Sequence, residues 1–250
     1  KKGLSPYLLL DAGNFAGDDT PQGRLKTETM MKAFGDIGYD SVAFRKRETA
    51  LPAEFLSQLS DKNKIRAAYD SSYFTKTIFI KKGPSNINVG TNPEKFYKGR
   101  INILLTDLPA SEAKLIEGWD VIILSSGEVL DEPVRTAQSI IVAGYPKGKK
   151  LGILTLNYDA SGKLKVFKHR WQELGAAIKE DPSVRSVLKE YDSRVAALFK
   201  EEQKPVAESA YLGAQKCAEC HQPFVEIWNR TRHAKAFSSL EKNGKAADPE

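Results

Sequence analysis

The chain has 250 residues, 41% hydrophobic and 28% charged, with a formal net charge of +6. That mix is ordinary for a soluble globular protein and leaves room for one large domain and a small appendage. No apolar run approaches the roughly 18 residues of a membrane-spanning helix, and the cations are spread out except at Arg45-Lys46-Arg47 and Lys147–Lys150, which argues against nucleic acid as a partner.

Lys1–Pro6 leads straight into an apolar run with no signal peptide before it, and Gly244–Glu250 is polar and closes no visible element, so the chain reads as a fragment of a longer polypeptide. Tyr7–Ala12 is expected to be a strand ended by Gly13. Arg24–Ile37 carries Leu25, Met30, Met31 and Phe34 near helical spacing, a Gly38-Tyr39-Asp40 turn follows, and Ser41–Phe44 reads as a strand. The three make a β-α-β unit.

Leu51–Leu59 reads as a short helix opened by Pro52, and Ile65–Tyr69 and Thr77–Ile80 as strands. Gly83–Gly99, rich in Pro, Asn, Gly and Lys, is expected to be a long loop. Strands at Ile101–Leu105 and Asp120–Leu124 flank a helix at Ala110–Glu117, giving a second β-α-β unit. Ser139–Ala143, Leu151–Tyr158 and Leu164–His169 read as strands of an antiparallel flank completing a mixed sheet, with a hairpin turn at Asp159-Ala160-Ser161-Gly162.

Asp181 caps a helix with Pro182 at its first position, and Val184, Val187, Leu188, Tyr191, Val195, Leu198 and Phe199 recur at spacings of three and four as far as about Glu202. The expected organisation is an α/β domain over residues 1–202, a polar linker at 203–210, and a small helical segment over 211–250.

The two cysteines stand as Cys217-Ala218-Glu219-Cys220, with His221 next. Two thiols three residues apart on one helical turn can add across the two vinyl groups of a haem, and a histidine directly after the second can ligate the iron. The expected cofactor is therefore covalent haem c at Cys217, Cys220 and His221. A disulfide, half of a zinc site and a thioredoxin-like redox pair use the same spacing. A zinc site wants four ligands and only His169 and His233 remain, while a redox pair favours the start of a β-α-β unit.

Phe224, Val225, Ile227 and Trp228 open an amphipathic helix expected to continue through His233, Ala236, Phe237 and Leu240, with Trp228 and Phe237 walling one side of the macrocycle. His233, twelve residues after His221, is the candidate for a second iron ligand, to this haem or to another. The alternative is a solvated helix histidine beside Arg230 and Arg232.

On these residues, with Arg232-His233-Ala234-Lys235-Ala236 behind them, the last 40 or so residues resemble the first haem segment of multihaem cytochromes of the tetrahaem type. In that family the downstream histidine is a haem ligand and further haem modules follow. Residues 7–200 resemble a second family, the calcineurin-like metallophosphatase domain of 5'-nucleotidases. Leu8-Leu9-Leu10-Asp11-Ala12-Gly13-Asn14-Phe15 looks like its strand leading into a GD motif, Gly38–Ala43 like the strand before GNHE, and Trp119–Leu124 like the strand before GHxH. This second resemblance implies a layered α/β sandwich with mixed sheets.

It also implies a dinuclear metal site, which this chain departs from. The bridging aspartate position is Asn14, the GNHE position reads Arg45-Lys46-Arg47-Glu48, and Ser125-Ser126-Gly127-Glu128 follows Leu124 without a histidine. Cations at a metal-binding position make a divalent centre unfavourable. The degenerate site is thus assigned to Asn14, Lys46, Arg47, Glu48 and Ser126, with no dinuclear centre and no catalysis expected.

The leading expectation is an exported, periplasmic or extracellular c-type cytochrome that exchanges electrons with redox partner proteins and uses the phosphatase-like domain as scaffold or docking surface. One alternative is an active metal-dependent nucleotidase with an accessory haem module. Another is a non-catalytic module binding an anion or a partner at Arg45, Lys46 and Arg47.

Overall fold

The computed structural model describes residues 6–70, 75–159, 164–202, 214–243 and 246. The chain divides into two units, Lys1–Val187 and Leu188–Glu250. The expected linker at 203–210 and most of the expected 159–162 turn lie outside the described residues.

The first unit opens with β1 (Leu10–Asp11), α1 (Pro21–Ile37), β2 (Ser41–Phe44), the single turn α2 (Lys46–Thr49), α3 (Ala53–Lys62), β3 (Ala67–Asp70) and β4 (Thr75–Lys76). These strands form one sheet in the order β1-β2-β3-β4, parallel through β3 and closed by antiparallel β4. Helix α1 starts where Thr20 Oγ1 accepts from Gly23 N at 3.0 Å, with Pro21 at its first position, and stops at Gly38, whose φ of 81° suits a residue without Cβ. Strand β1 is shorter than expected: before it, Leu9 N donates to the Asp40 carboxylate and Asp40 N to Leu9 O, and only Leu10 and Asp11 pair with β2.

The second sheet comprises β5 (Ile78–Lys82), β6 (Ser85–Gly90), β7 (Ile101–Thr106), β8 (Val121–Leu124), β9 (Val134–Arg135) and β10 (Ile140–Ala143), in the order β5-β6-β7-β8-β10-β9. Its four central strands are parallel and both edges antiparallel. Two expectations are corrected here. Part of the supposed loop at Gly83–Gly99 is the internal strand β6, because Ile87 and Val89 face the core and the polar Asn88 is buried against Asn102, its Nδ2 donating to Asn102 Oδ1 at 2.8 Å. Strand β10 joins β8 in parallel, and the antiparallel hairpin of β11 (Lys150–Tyr158) and β12 (Leu164–Glu173) is a sheet of its own.

Between the sheets, Ala43 and Ala68 of the first meet Ile80, Val89, Leu105 and Val121 of the second, and the hairpin adds Leu154, Leu156, Leu164 and Phe167. Outside the first sheet, Met31 and Phe34 of α1 and Leu56 and Leu59 of α3 pack with Val42, Phe44 and Ala67. Outside the second, Trp119 and the short helix α4 (Ala110–Ala113) cover Leu104, Ile122 and Ile141. Helix α4 is one turn, shorter than expected, because the chain tightens into three-residue turns at Leu115 and Ile116 before Gly118. The result is a layered α/β sandwich, with parallel strands whose C-terminal ends share one rim.

Asn102 also fastens the connection from β6 to β7 over the outer face of the sheet. Its Oδ1 accepts from Tyr97 N at 2.9 Å, and its Nδ2 donates to Tyr97 O and Arg100 O at 3.1 and 3.0 Å. Trp119, 1% exposed, donates from Nε1 to Pro93 O at 2.7 Å.

Helix α5 (Pro182–Glu202) spans the division between the units. Beyond it come α6 (Ala214–Asn229), a 3₁₀ turn at His233–Lys235, and α7 (Ala236–Lys242). The single helix expected from Phe224 to Leu240 is therefore broken: Thr231 donates to Trp228 O from both its N–H and its hydroxyl, which ends α6. Within α6, His221 leaves helical geometry (φ −121°, ψ 33°) two residues before Pro223, whose ring and missing N–H disrupt the preceding turn.

Replacing Asn102 by Ala removes four side-chain hydrogen bonds and orphans buried backbone groups. We expect a stability loss of about 2–3 kcal/mol in urea denaturation, with new proteolytic cleavage between residues 91 and 100; unchanged stability would contradict this role.

Candidate functional site

At the rim formed by the C-terminal strand ends, the chain folds around one carboxylate. Glu48, fully buried on α2, accepts from Asn14 N at 2.9 Å, Ala16 N at 2.8 Å and Arg45 N at 2.9 Å. These bonds hold the segment after β1 against the segment after β2. Gly13 and Asn14 turn there with φ of 93° and 65°, and a Cβ on Gly13 would lie 2.6 Å from Arg45 Cγ and 2.8 Å from Ala43 O. The glycine is what lets the Arg45 side chain cross β1.

Arg45 enters the site. Its guanidinium forms an ion pair with Asp107, just beyond β7, and donates to Thr91 O, just beyond β6, at 3.3 Å. Asn14 Nδ2 donates to Ser125 Oγ and O, just beyond β8, at 3.3 and 3.4 Å, while Asn14 Oδ1 receives Arg47 N at 3.4 Å. Beneath, Asp11 accepts from Gly13 N at 2.8 Å, and burial, reinforced by Glu48, pushes its carboxyl up to about 6. Burial and the nearby Asp11 push the Tyr39 hydroxyl up to about 12.

Of the residues assigned from sequence, Asn14 and Glu48 are brought together. Lys46 and Arg47 are exposed, and so is Ser126; its neighbour Ser125 makes the contact with Asn14. The inward cation is Arg45, because α2 is a single turn that places the next two side chains outside. Arg45 and Asp107 as a pair were missed, although an aspartate directly after an apolar parallel strand marks this rim. The donor set does not fit a dinuclear metal centre. A guanidinium occupies the site, both Glu48 oxygens are taken by amides, and among the described residues no three His, Cys, Asp or Glu side chains are grouped to hold an ion.

The C-terminal unit carries the other candidate site. Cys217 and Cys220 are free, exposed thiols one turn apart on α6, and His221 sits exposed at the helix break, its ring 6.1 Å from Phe224. Trp228 and His233 lie nearly parallel, 16° between planes, with ring centres 6.3 Å apart. Phe224, Ile227, Trp228, Phe237 and Leu240 are 45–72% exposed. Two thiols, an imidazole and this uncovered apolar set fit a haem, which is flat, largely apolar, and attached through two thioethers.

Similarity to known proteins touches both ends of the chain. The family model "Cytochrome c554 and c-prime" matches residues 216–250. The first unit has the fold of metallophosphatase and 5'-nucleotidase N-terminal domains. A 5'-nucleotidase precursor from Thermus thermophilus superposes with a TM-score of 0.62 at 17% identity, over 76% of this chain and 50% of that one. The sulfate thiohydrolase SoxB of Thermus thermophilus, solved with glycerol, gives 0.59 at 20% identity over 75% and 42%. The chain thus spans half or less of either structure. No curated protein sequence matches it. Among the described residues no helix is long and apolar enough to cross a membrane.

Asp11 gives this rim a pH signature. A carboxyl raised from 3.8 to about 6 in the folded state binds its proton more tightly there than in the unfolded chain. Stability from this group is therefore greatest below about pH 4, falls as pH rises towards 6, and is level above that. Asp11→Asn keeps the acceptor for Gly13 N and removes the ionisation. The variant should be more stable by about 3 kcal/mol at pH 7 and equal to the parent near pH 3; urea denaturation across that range checks it, and a constant difference would refute it.

Proposed function

We propose that the protein is an exported c-type cytochrome whose phosphatase-like domain has lost its chemistry and serves as scaffold or docking surface. The observation that carries this reading is the pair of exposed thiols at Cys217 and Cys220, next to His221 and an uncovered apolar surface, within the segment matched by a cytochrome family model. Covalent haem would supply one-electron transfer at its iron. Cys217 and Cys220 would hold it through their thiols, His221 would supply a nitrogen ligand to its iron, and Phe224, Trp228 and Phe237 would exclude water from its edge. His233, whose ring lies nearly parallel to that of Trp228, would be a second iron ligand, for this haem or for a neighbouring one in a multihaem chain. The working division is residues 1–202 as the phosphatase-like domain, 203–210 as linker, and 211–250 as the haem segment.

Loss of hydrolysis rests on the Arg45–Asp107 ion pair and on Asn14 and Ser126 at positions where the resemblance expects an aspartate and a histidine. Covalent haem attachment takes place outside the cytoplasmic membrane, which implies the periplasm or cell exterior, and the electron donor and acceptor are redox proteins.

The test is expression in a host that attaches haem to exported proteins. The parent should show a Soret band and stain for haem after denaturing electrophoresis, and Cys217→Ser/Cys220→Ser should lose the stain. A parent without either signal ends the haem reading. In parallel, a chromogenic phosphate ester with Mn²⁺ or Zn²⁺ should not be turned over, and metal-dependent turnover would restore the nucleotidase alternative.

A further inference from the structure

A second surface lies at the other end of the parallel strands. Thr91, Asp107 and Ser125 of the rim follow β6, β7 and β8, whereas Arg100 immediately precedes β7 and Trp119 stands two residues before β8. Around them Phe79, Phe96 and Tyr97 are 38–47% exposed. Phe79 and Tyr97 meet edge to face at 5.0 Å, and the Arg100 guanidinium lies 4.7 Å over the Phe79 ring. The Phe96 ring rests on Gly118, where a Cβ would come within 2.5 Å of it. Phe96, Tyr97 and Arg100 border a crevice of about 280 Å³ that reaches Trp119, Asp120 and Gln138.

Three features separate this patch from scattered surface aromatics. It is held in place, since Asn102 ties down the backbone of Tyr97 and Arg100 and Trp119 ties down Pro93, so little ordering entropy remains to be lost on binding. Its composition, Phe, Tyr and Arg over a partly apolar crevice, is that of interface anchors. Its exposed rim is basic: Lys95, Lys98 and Arg100 stand against Glu94 in the seven residues 94–100, exposed Lys81 follows Phe79 on the same face of β5, and the half-buried Asp120 that lines the crevice accepts from Asn102 N at 2.8 Å.

We propose that this surface docks an acidic protein partner, a patch of Asp and Glu around an apolar centre that covers Phe79, Phe96 and Tyr97. The rings speak against single-stranded nucleic acid, because stacking bases need free faces, whereas Phe79 carries Arg100 on one face and the Tyr97 contact is edge to face. The rim with Arg45 is the weaker anion site, because Asp107 already neutralises that guanidinium. The proposal does not depend on the haem, so it stands or falls separately from that reading.

The experiment uses the full chain and a labelled ten-residue peptide of Glu and Asp flanking a central Leu-Phe-Leu, followed by fluorescence anisotropy at low and physiological ionic strength. Saturable binding is expected, weakened by salt and reduced roughly tenfold or more by Lys95→Glu/Lys98→Glu, which alters two exposed side chains and leaves the packed ones intact. Phe79→Ser should weaken it too, with the circular dichroism of the parent retained. The same peptide with Ser in place of its apolar centre should bind more weakly. Absence of saturable binding, equal binding by the charge-reversed chain, or equal binding of the Ser peptide overturns the proposal. So does tighter binding of a thymidine decanucleotide, or self-association in sedimentation that the charge reversal abolishes.

Discussion

The first unit is organised by the burial of one carboxylate. A fully buried glutamate is costly unless its oxygens are matched, and Glu48 is matched by three backbone N–H groups from Asn14, Ala16 and Arg45. Those amides belong to the segments after β1 and β2, so the bonds that satisfy the charge also lock two loops together. Once they are locked, Gly13 has to give way to the Arg45 stem, and the guanidinium has one direction left, towards Asp107 and Thr91. The rim is therefore rigid for a reason independent of any ligand.

The framework of this rim is therefore held by the chain's own groups. The rim is built on Glu48, a tight turn at Gly13, and parallel strands ending on one edge. None of these requires a metal ion. An Asp107 carboxylate left without a cation would be a charge at a partly buried position, and Arg45 meets that requirement from within the chain. The charge balance at this rim is internal to the chain.

Residues next to each other in sequence revealed most of the framework, and residues far apart concealed the rest. Ser41–Phe44 was legible to the residue, because a short, largely apolar run stands between a glycine turn and a charged turn. Strand β6 was hidden because Asn86, Asn88 and Gly90 give it the composition of a loop, and what makes Asn88 tolerable inside is Asn102, fourteen positions later. Asn14 and Glu48 could be placed by the order of the motifs. The pairing of Arg45 with Asp107 could not, since 62 positions separate them and one residue's rotation about a helical turn decides which cation of Arg45-Lys46-Arg47 faces inward. The broken helix between Trp228 and His233 was obscured likewise, because apolar spacing continues across a break made by Thr231 hydrogen bonds.

The two candidate sites differ in how far the chain satisfies them itself. At the rim the charges of Arg45, Asp107 and Glu48 are each met by another part of the chain, which is the condition of a site that has closed. In the C-terminal unit the opposite holds: Phe224, Ile227, Trp228, Phe237 and Leu240 all stand open on α6 and α7 beyond the free thiols, and small helical modules bury little apolar surface by themselves. Small modules escape that limit through covalent or metal-borne reinforcement. The proposed haem is both, a covalent tether between Cys217 and Cys220 and an apolar plate for the side chains to pack on. A haem so attached would be a structural member of the C-terminal unit as well as its redox centre, and the thiols that attached it would secure the fold they depend on.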